Sequence, residues 1–489
     1  MSASAKVYLV GAGPGDYKLI TLKALECIRQ ADAIIYDESI NKYYLKEAKE
    51  GCELIYAGKV ASHHSLPQWE TNNLMLAKFK EGKMVVRLKG GDPYVFGRGG
   101  EEAVFLYDNN IPFETVPGVT SAVGGLAYAG IPVTCRGYAS SFYVCTGHKS
   151  INEPDWELLA KTRGTVVFLM GIHNIDNIKK KMLLYGKPKD TPMAIISNAS
   201  RANQNVIVTT LEDATTKNIA YPGLIVMGEV VTLRNKLNFF ERRPLLGKNI
   251  MITRSKCQSS LFAQKIMEQG GNPIDAATIK INKFADTAPL KREIEQIRKY
   301  KYLVFTSQNT VEFFFEVLAE MNCDARAIYG PKIAVIGPQT AKALQNKGIK
   351  ADIIPRSHYT EGLVASLAPL LCPTDSILVP CAKNARPILP QNLKADVNML
   401  PIYETMADYS QRDEIINHLD SGNLHYITFA SPSAVASFVQ LVGQENLGKL
   451  AGVKVICIGP VTAKRLMSFG IAAIQAEKTC INAMIDLMN

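Results

Sequence analysis

The sequence lacks paired cysteines. Its ten cysteines are scattered along the chain, and no two of them form a C-x-x-C pair. This spacing argues against a zinc ribbon, an iron–sulfur site and a disulfide framework. We therefore expect no metal and reduced thiols, as in a cytoplasmic protein.

Long apolar runs and basic runs are also lacking. No apolar stretch approaches the roughly 18 residues that span a bilayer. The amino terminus carries one lysine before a short strand broken by Gly11, which is unlike a signal peptide. No basic run is interleaved with aromatics, so we expect neither membrane nor nucleic acid as a partner. The net charge of +10 suits an acidic small molecule, although a merely soluble surface gives the same balance.

Strands and helices alternate through the first half of the chain. With 489 residues, the chain exceeds the roughly 250–300 residues of a single core. Short apolar strands at 7–10, 33–36 and 85–88 alternate with helical segments, which predicts a largely parallel sheet. Further strands near 141–146, 164–170, 193–197 and 224–227 predict a second unit. We expect an α/β domain over 1–245, with lobes of about 1–116 and 117–245 and a cleft between them.

Two glycine-rich loops follow strands of the first lobe, at GAGPGD (Gly11 to Asp16) and GGDP (Gly90 to Pro93). Glycines let backbone approach a ligand closely, and ligands of open α/β sheets bind beyond the carboxyl ends of the strands. The glycines of the first loop fall at 11, 13 and 15, which does not fit the dinucleotide pattern G-x-G-x-x-G. Each carries a carboxylate, which would repel a pyrophosphate about 4 Å away by roughly 4 kcal/mol. S-adenosylmethionine, a sulfonium without phosphates, fits better; the alternative is that the glycines only turn the chain.

The first half resembles the uroporphyrinogen-III C-methyltransferases, which are tetrapyrrole methylases of the class III methyltransferase fold. The resemblance spans about residues 5–240 and rests on GAGPGD, the segment from Arg87 to Glu102, PGVTSA from Pro117, YAGIPVT from Tyr128 and GEVV from Gly228. It implies S-adenosyl-L-methionine as cofactor, S-adenosyl-L-homocysteine as product, and a homodimer. The implied cofactor-binding residues are Pro14, Gly90, Gly91, Asp92, Val95, Thr120, Ser121, Met170 and Ala199.

The same resemblance assigns chemistry to single residues. Asp37 would take the proton that leaves as carbon is methylated, although a carboxylate at a strand end also commonly caps the next helix. Lys59 would donate a proton; the alternative is a surface lysine. Arg98 is expected to bind a substrate carboxylate, because its guanidinium can make two parallel hydrogen bonds. Cys135 stands where the family usually carries histidine, so we assign no role to that position.

The second half contains an internal repeat. YLVFTSQNTVEFF from Tyr302 is echoed by YITFASPSAVASF from Tyr426, and IAVIGPQTA from Ile333 is echoed by VICIGPVTA from Val455. Each unit is a strand, a polar turn and a helix, followed by a strand, Gly-Pro and a helix. This predicts two similar α/β lobes around a shared cleft.

Helix starts in both units are predicted to face that cleft, at Ser307, Thr340, Ser431 and Thr462. The N–H groups of helix N-termini bind carboxylates, each favouring an anion by about 0.3–1 kcal/mol at a surface. Several of them aimed at one ligand would hold a molecule with many carboxylates. The alternative is that these hydroxyls serve as helix N-caps.

Residues 246–489 resemble uroporphyrinogen-III synthase. The matching pieces, in order, are IMITR from Ile250, the two Gly-Pro elements, TEGL from Thr360, ARPILP from Ala385 and PIYET from Pro401. The resemblance implies closure of hydroxymethylbilane with inversion of its last ring. It makes Tyr403 the residue that assists loss of the hydroxyl and places Thr340 and Thr462 in the cleft. Arg386 would bind a propionate or, alternatively, is a solvated helix arginine. One lobe would comprise 246–282 plus 405–489, and the other 283–404.

The sequence therefore predicts a bifunctional tetrapyrrole enzyme. The carboxyl-terminal half would make uroporphyrinogen III, and the amino-terminal half would methylate it twice to precorrin-2 for siroheme or cobalamin-type pathways. Two alternatives stay open: a non-catalytic tetrapyrrole-binding module in the second half, and a nicotinamide oxidoreductase that uses residues 11–37. The sequence gives no answer on direct transfer of intermediate between the halves.

Overall fold

The fold is built on four five-stranded sheets. A computed structural model describes residues 6–58, 67–148, 153–215, 219–253, 256–276 and 278–488, without the side chains of 256–260. Within these ranges, no helix combines the length and the apolar character needed to cross a lipid bilayer. The α/β class predicted from the alternating pattern is confirmed.

The first sheet is entirely parallel, in the order β3-β2-β4-β1-β5. Neighbouring residues such as Ile34 and Ile35 belong to two different buried clusters, so both faces of the sheet are covered. Parallel sheets need such cover, which is why their strands are nearly continuous apolar runs. The elements in chain order are β1 (Val7–Gly11), α1 (Leu22–Gln30), β2 (Ala33–Tyr36), β3 (Glu53–Tyr56), α2 (Gln68–Lys80), β4 (Val85–Lys89), α3 (Gly99–Asp108) and β5 (Phe113–Val116).

The second sheet is mixed, in the order β6-β7-β10-β8-β9. Only β6 and β7 are parallel, and β10, β8 and β9 pair antiparallel. The parallel pairing predicted for the first lobe does not extend to this sheet, because β8 and β9 are joined without a helix, and a short connection allows only antiparallel pairing. The elements are α4 (Ser121–Tyr128), β6 (Phe142–Thr146), α5 (Trp156–Lys161), β7 (Thr165–Leu169), α6 (Ile175–Leu184), β8 (Pro192–Ser197), β9 (Asn205–Thr210), β10 (Gly223–Met227) and α7 (Arg234–Leu237).

The third sheet combines the start and the end of the second half. Its order is β12-β11-β18-β19-β20, with all strands parallel. The first part supplies β11 (Asn249–Ile252), α8 (Lys256–Glu268) and β12 (Asn272–Asp275). The last part supplies α14 (Arg412–Asp420), β18 (Tyr426–Phe429), α15 (Pro432–Val442), β19 (Lys454–Cys457), α16 (Pro460–Met467), β20 (Ile474–Gln475) and α17 (Ile481–Asp486).

The fourth sheet lies between these two segments of chain, in the order β13-β17-β16-β14-β15. Residues 279–282 and 405–407 belong to this sheet, through antiparallel pairing of β13 with β17. They were expected in the other lobe, and a five-residue alternating strand does not reveal its sheet partner. The elements are β13 (Ile279–Lys283), α9 (Ala288–Glu295), β14 (Tyr302–Phe305), α10 (Gln308–Glu320), β15 (Lys332–Val335), α11 (Pro338–Asn346), α12 (Thr360–Leu367), β16 (Ser376–Ala382), α13 (Ile388–Asn392) and β17 (Asp396–Ala407).

The two halves of the chain touch along β12. The 3-10 segment Lys42–Glu47 of the first lobe lies beside this strand. The Tyr43 hydroxyl donates to the carbonyl oxygen of Pro273 at 3.1 Å, and Lys46 forms an ion pair with Asp275. A cavity of about 500 Å³ adjoins this contact, lined by residues from both halves.

A substitution at Gly118 tests the close packing of the first lobe's loops. A Cβ there would lie 2.2 Å from the carbonyl oxygen of Gly91 and 2.8 Å from backbone atoms of Gly11. Gly118→Ala is therefore expected to lower the free energy of unfolding by about 1–3 kcal/mol, measured by urea denaturation. The matched control is Gly100→Ala in α3, where an added Cβ meets nothing within 4 Å. It is expected to raise stability by about 0.5–1 kcal/mol, and equal effects of the two would contradict this account.

Candidate functional site

A cleft of about 660 Å³ opens at the carboxyl ends of β1, β2 and β4 and is bordered by the second lobe. It gathers residues that are far apart in sequence. Eleven residues singled out from the sequence line it: Pro14, Asp37, Gly90, Gly91, Asp92, Val95, Arg98, Thr120, Ser121, Met170 and Ala199. Lys59 lies outside the described residues.

The two glycine loops are joined by backbone hydrogen bonds. The Gly91 N–H donates to the Gly13 carbonyl at 2.8 Å, and the Gly13 N–H donates to the Gly91 carbonyl at 3.1 Å. Gly91 has a φ of +66°, a conformation that side chains other than glycine rarely adopt. A Cβ on Gly90 would lie 2.3 Å from the Ser39 hydroxyl oxygen. The glycines therefore leave a bare backbone wall at this end of the cleft, where a ligand can approach main-chain atoms.

The two loop carboxylates have different surroundings. Asp92 lines the cleft, and its oxygens accept from the backbone N–H groups of Tyr94 at 2.8 Å and Gly118 at 3.0 Å. Asp16 instead accepts from the Lys18 N–H at 2.8 Å and the Tyr128 hydroxyl at 2.7 Å, and it borders the cavity between the halves. The expectation that both carboxylates face the ligand is wrong for Asp16. Asp92 alone carries the electrostatic argument against a pyrophosphate.

Left-handed backbone is concentrated around the cleft. Phe96, Arg98 and Met170 line it with φ values of 53°, 58° and 55°. Asn198 and Ser200, on either side of Ala199, also have positive φ, at 49° and 62°. Such conformations cost about 1–3 kcal/mol each and persist where surrounding structure enforces them, commonly at functional sites.

Four charged side chains form the buried ion cluster at the floor of the cleft: Asp37, Arg87, Lys89 and Glu102. The first three of them line the cleft. Arg87 contacts Asp37 at 2.6 Å and Glu102 at 3.0 Å, and the Lys89 amine lies 3.0 Å from the same Glu102 oxygen, Oε1. Arg87 and Lys89 are 5% exposed, Glu102 is 0% exposed, and Asp37 is 29% exposed. Asp37 is therefore the most exposed member of the cluster, and its partner is Arg87 rather than the N–H of a following helix.

Three members of this cluster escaped the sequence reasoning. Arg87 and Lys89 alternate on β4 and project from the same face of a fully buried strand. Strands of parallel sheets are normally apolar throughout. Two cations at alternate positions of such a strand indicate a buried ion cluster, because buried cations require anions nearby. Burial lowers the pKa of Lys89, and the neighbouring Arg87 charge adds to this shift.

Arg98 stands at the rim of the cleft. Its guanidinium makes two hydrogen bonds to Glu101, at 2.7 and 2.9 Å, and its side chain is 54% exposed. The Arg98 guanidinium, which is predicted to bind a substrate carboxylate, therefore binds the Glu101 carboxylate of its own chain. A substrate carboxylate would compete with Glu101 for it.

In the second half, Tyr403 lies on β17 with 7% of its surface exposed. Its hydroxyl is 3.3 Å from that of Ser307, and its ring lies against Phe313. Burial raises the pKa of Tyr403. The phenol is consequently protonated at neutral pH and available as a hydrogen-bond donor.

The four helix starts predicted from the repeat differ in detail. Ser307 and Ser431 are N-caps of α10 and α15, and their hydroxyls accept from the N–H groups of Thr310 and Ala434. The capping interpretation is thus confirmed for both serines. The N-caps of α11 and α16 are instead Gly337 and Gly459, so Thr340 and Thr462 are not caps; they lie in the first turn, buried.

Residues 358 and 359 bridge the two Gly-Pro turns. A Cβ on Gly337 would lie 3.2 Å from His358, and the Tyr359 hydroxyl is within 3.5 Å of the Cβ position of Gly459. Tyr359 also lies 3.3 Å from the Thr479 hydroxyl. The starts of α11 and α16 therefore lie on either side of this pair of residues. Arg386 is exposed on the loop before α13, so it is not a helix arginine.

Among the residues that the structure describes, no group of three or more His, Cys, Asp or Glu side chains is arranged to hold a metal ion. The nine cysteines with described side chains, which include Cys135, are free thiols.

Replacing Arg87 tests the buried ion cluster. Arg87→Met leaves Asp37 and Glu102 with Lys89 alone, and breaking a buried ion pair costs about 3–5 kcal/mol. We expect a loss of that size in urea unfolding. Arg98→Met removes an arginine–glutamate pair at the exposed rim of the same cleft, and such pairs contribute about 0–1 kcal/mol. Equal losses in the two variants would show that burial does not set the energetics of this cluster.

Two family descriptions match the chain, one in each half. Tetrapyrrole (corrin/porphyrin) methylases match residues 6–215. Uroporphyrinogen-III synthase HemD matches residues 260–486. The two matches are consecutive and follow the order that the sequence motifs predicted.

Related proteins cover the chain in whole and in part. A porphyrin biosynthesis protein HemD of Ruminiclostridium josui is 36% identical over 98% of this chain and 97% of its own length. A uroporphyrinogen-III C-methyltransferase of Methanocaldococcus jannaschii is 50% identical over 47% of this chain and 98% of its own length. A crystal structure of a Thermus thermophilus uroporphyrin-III C-methyltransferase with S-adenosylhomocysteine is 38% identical, covers 47% of this chain and 100% of that one, and has a TM-score of 0.42. The chain thus belongs to the two-part porphyrin biosynthesis proteins in which a tetrapyrrole methylase is followed by a uroporphyrinogen-III synthase.

Proposed function

We propose that this protein is a bifunctional enzyme of tetrapyrrole biosynthesis. Its second half closes hydroxymethylbilane to uroporphyrinogen III, and its first half methylates that product twice to precorrin-2. The product would enter siroheme or cobalamin-type pathways. The observation that carries the proposal is the meeting of eleven residues, chosen from separate motifs, in one cleft with a bare glycine wall.

The cleft of the first half suits S-adenosylmethionine. The open backbone at Gly90 and Gly91 leaves room that any Cβ would reduce, and Thr120 and Ser121 add hydroxyls. Pro14, Val95, Met170 and Ala199 supply apolar surface, and Asp92 supplies a carboxylate. S-adenosylmethionine, when bound, contributes a methyl group on a positively charged sulfur that is already a good leaving group.

The protein contributes to methyl transfer mainly by positioning the reacting atoms. Holding reacting atoms in line can supply about 7–11 kcal/mol of barrier lowering. A general base adds about 10²–10⁴-fold. Asp37 is the candidate base, since it is the exposed member of the buried ion cluster and lines the cleft. Arg98 at the rim is the candidate contact for a carboxylate of the tetrapyrrole.

The helix starts of the second half suit an anionic, flexible substrate. The starts of α10, α11, α15 and α16 present N–H groups that favour carboxylates. Ser307, Ser431, Thr340 and Thr462 belong to these starts, and Arg386 is an exposed candidate for a propionate. Tyr403 would donate its proton in a hydrogen bond to the departing hydroxyl, and ring closure then follows with loss of water.

Two further parts of the proposal rest on the resemblance. A homodimer through the methyltransferase half fits the exposed apolar side chains on α3, where Val104 is 61% exposed and Tyr107 is 75% exposed. A cytoplasmic location fits the free cysteines.

Binding of S-adenosylhomocysteine distinguishes a variant that blocks the ligand site from a variant that removes the candidate base. Gly91→Val adds a branched side chain at a left-handed residue facing the cleft, so we expect the thermal stabilisation by this ligand to be lost. Asp37→Ala should retain the stabilisation and reduce kcat by about 10²–10⁴-fold, less than the valine variant does. Stabilisation by NAD in place of S-adenosylhomocysteine would favour the oxidoreductase alternative.

The whole protein tests the synthase assignment when it is supplied with hydroxymethylbilane and no methyl donor. We expect uroporphyrinogen III, identified by chromatography of the oxidised product. Tyr403→Phe keeps the buried ring and removes the donor, so the share of isomer III should fall while the fold is retained. Isomer I alone from the unsubstituted protein, which is the spontaneous product, would favour the alternative of a non-catalytic binding module.

A further inference from the structure

Arg201 differs from the other cations of the cleft in the first half. The cations that line this cleft are Arg87, Lys89, Arg98 and Arg201. The first three each contact a carboxylate, at 2.6–3.0 Å. Within the parts of the chain that the structure describes, Arg201 forms no ion pair, and its side chain donates only to the backbone carbonyl of Ser39. Its positive charge is therefore left without a paired anion.

The hydrogen bond of Arg201 joins the two lobes of the first half. Arg201 belongs to the loop after β8 in the second lobe, and Ser39 follows β2 in the first lobe. The Arg201 side chain is half-buried, and it lines the cavity between the halves as well as the cleft. Burial lowers the pKa of Arg201. An arginine nevertheless stays charged in proteins, so a carboxylate in the cleft would meet a partly desolvated cation.

The first glycine loop makes room for the Arg201 side chain. A Cβ on Gly15 would lie 2.9 Å from the Arg201 Cγ and 3.0 Å from the Ser200 hydroxyl oxygen. The backbone of Arg201 is also fixed, because its N–H donates to the Asn198 carbonyl at 3.0 Å and its carbonyl accepts from the Gln204 N–H at 2.9 Å. The arginine is thus positioned before a ligand arrives, which lowers the entropic cost of binding that ligand.

Glu38 is the acidic side chain whose charge acts on Arg201, and it has other partners. Its carboxylate accepts from the Tyr56 hydroxyl at 2.8 Å and lies 3.7 Å from the Lys42 amine. The Glu38 side chain lines the same cleft and the same cavity, and it is 66% exposed. Water therefore screens its attraction for Arg201. A ligand carboxylate could pair with Arg201 without first breaking an ion pair.

We propose that Arg201 binds a carboxylate of a ligand in the cleft of the first half, from the lobe opposite to Arg98. This inference rests on the proposed function of that half. Two sources offer the same chemistry, the carboxylate of S-adenosylmethionine and a carboxylate of the tetrapyrrole. Arg201 lies two residues after Ala199, a candidate contact of the methyl donor, and its partner Ser39 lies two residues after Asp37, the candidate base. Both sources are therefore tested.

Arg201→Met tests the proposal in the whole protein, because methionine keeps an apolar stem and removes the charge. If the methyl donor supplies the carboxylate, the Kd of S-adenosylhomocysteine should rise about 10–100-fold. The Kd of 5′-methylthioadenosine, which lacks the carboxylate, should then stay unchanged; both are measured by calorimetry.

The second source predicts a different pattern in the same variant. If the tetrapyrrole supplies the carboxylate, the KM for uroporphyrinogen III at saturating methyl donor should rise about 10–100-fold. The Kd of S-adenosylhomocysteine should then stay unchanged. Either pattern supports the proposal. An unchanged KM together with an unchanged Kd would overturn it, even if kcat falls.

Two further variants control for charge and for folding. Arg242→Met removes an exposed arginine that donates to the backbone carbonyl of Asn235 and lines neither the cleft nor the cavity. It should leave the KM and the Kd unchanged, and a loss equal to that of Arg201→Met would overturn the proposal. Arg201→Gln also removes the charge, is expected to act like the methionine variant, and replaces it if that variant fails to fold.

Glu38→Gln distinguishes a ligand contact from a structural charge pair. If Arg201 served only to balance Glu38, removing either charge would weaken binding alike, and that result would overturn the proposal. We expect Glu38→Gln to bind its ligands at least as tightly as the unsubstituted protein, because a competing carboxylate is gone. Failure of the unsubstituted protein to methylate uroporphyrinogen III would instead refute the proposed function, and with it the inference. Normal methylation with unchanged constants in Arg201→Met would refute the inference alone.

Discussion

The first half of the molecule depends on the contact of three loops that have no side chains at their meeting points. A Cβ on Gly11 or Gly118 would lie 2.2–2.8 Å from backbone atoms of the facing loops, and the carbonyl oxygen of Gly91 is one of those atoms. The hydrogen bonds between Gly13 and Gly91 and the carboxylate of Asp92 hold the loops in register. Because Gly91 belongs both to this contact and to the wall of the cleft, the packing of the loops bears on the stability of the lobe and on the shape of the cleft.

The ion pairs of the buried ion cluster and the ion pair at the rim of the cleft differ in how much their loss costs. The rim pair of Arg98 and Glu101 is exposed and exchangeable, so a ligand can displace either partner. The buried ion cluster has no such freedom, because removing one member leaves another uncompensated in a medium of low polarisability. The rim pair and the buried ion cluster thus belong to one cleft but differ in their exposure to water.

The sequence predicted what local pattern and long motifs encode. Sequence alone predicted the glycine loops, the alternating elements and the repeat with its Gly-Pro turns. The family resemblance predicted the residues of the first cleft. The position of Asp16 outside the cleft could not be predicted, because its side chain is held by Tyr128, more than a hundred residues away. The sheet membership of β13 was equally hidden, since a short strand does not reveal its partner. The two cations on β4 indicate buried anions nearby but do not identify them.

The contact between the halves has a consequence for solubility. β12 is the edge of its sheet, and an uncovered edge offers unpaired backbone groups to other chains. Here the methylase half covers that edge, with Tyr43 satisfying the carbonyl of Pro273 and Lys46 neutralising Asp275. The first half therefore occupies part of an edge strand that would be more exposed in the second half on its own.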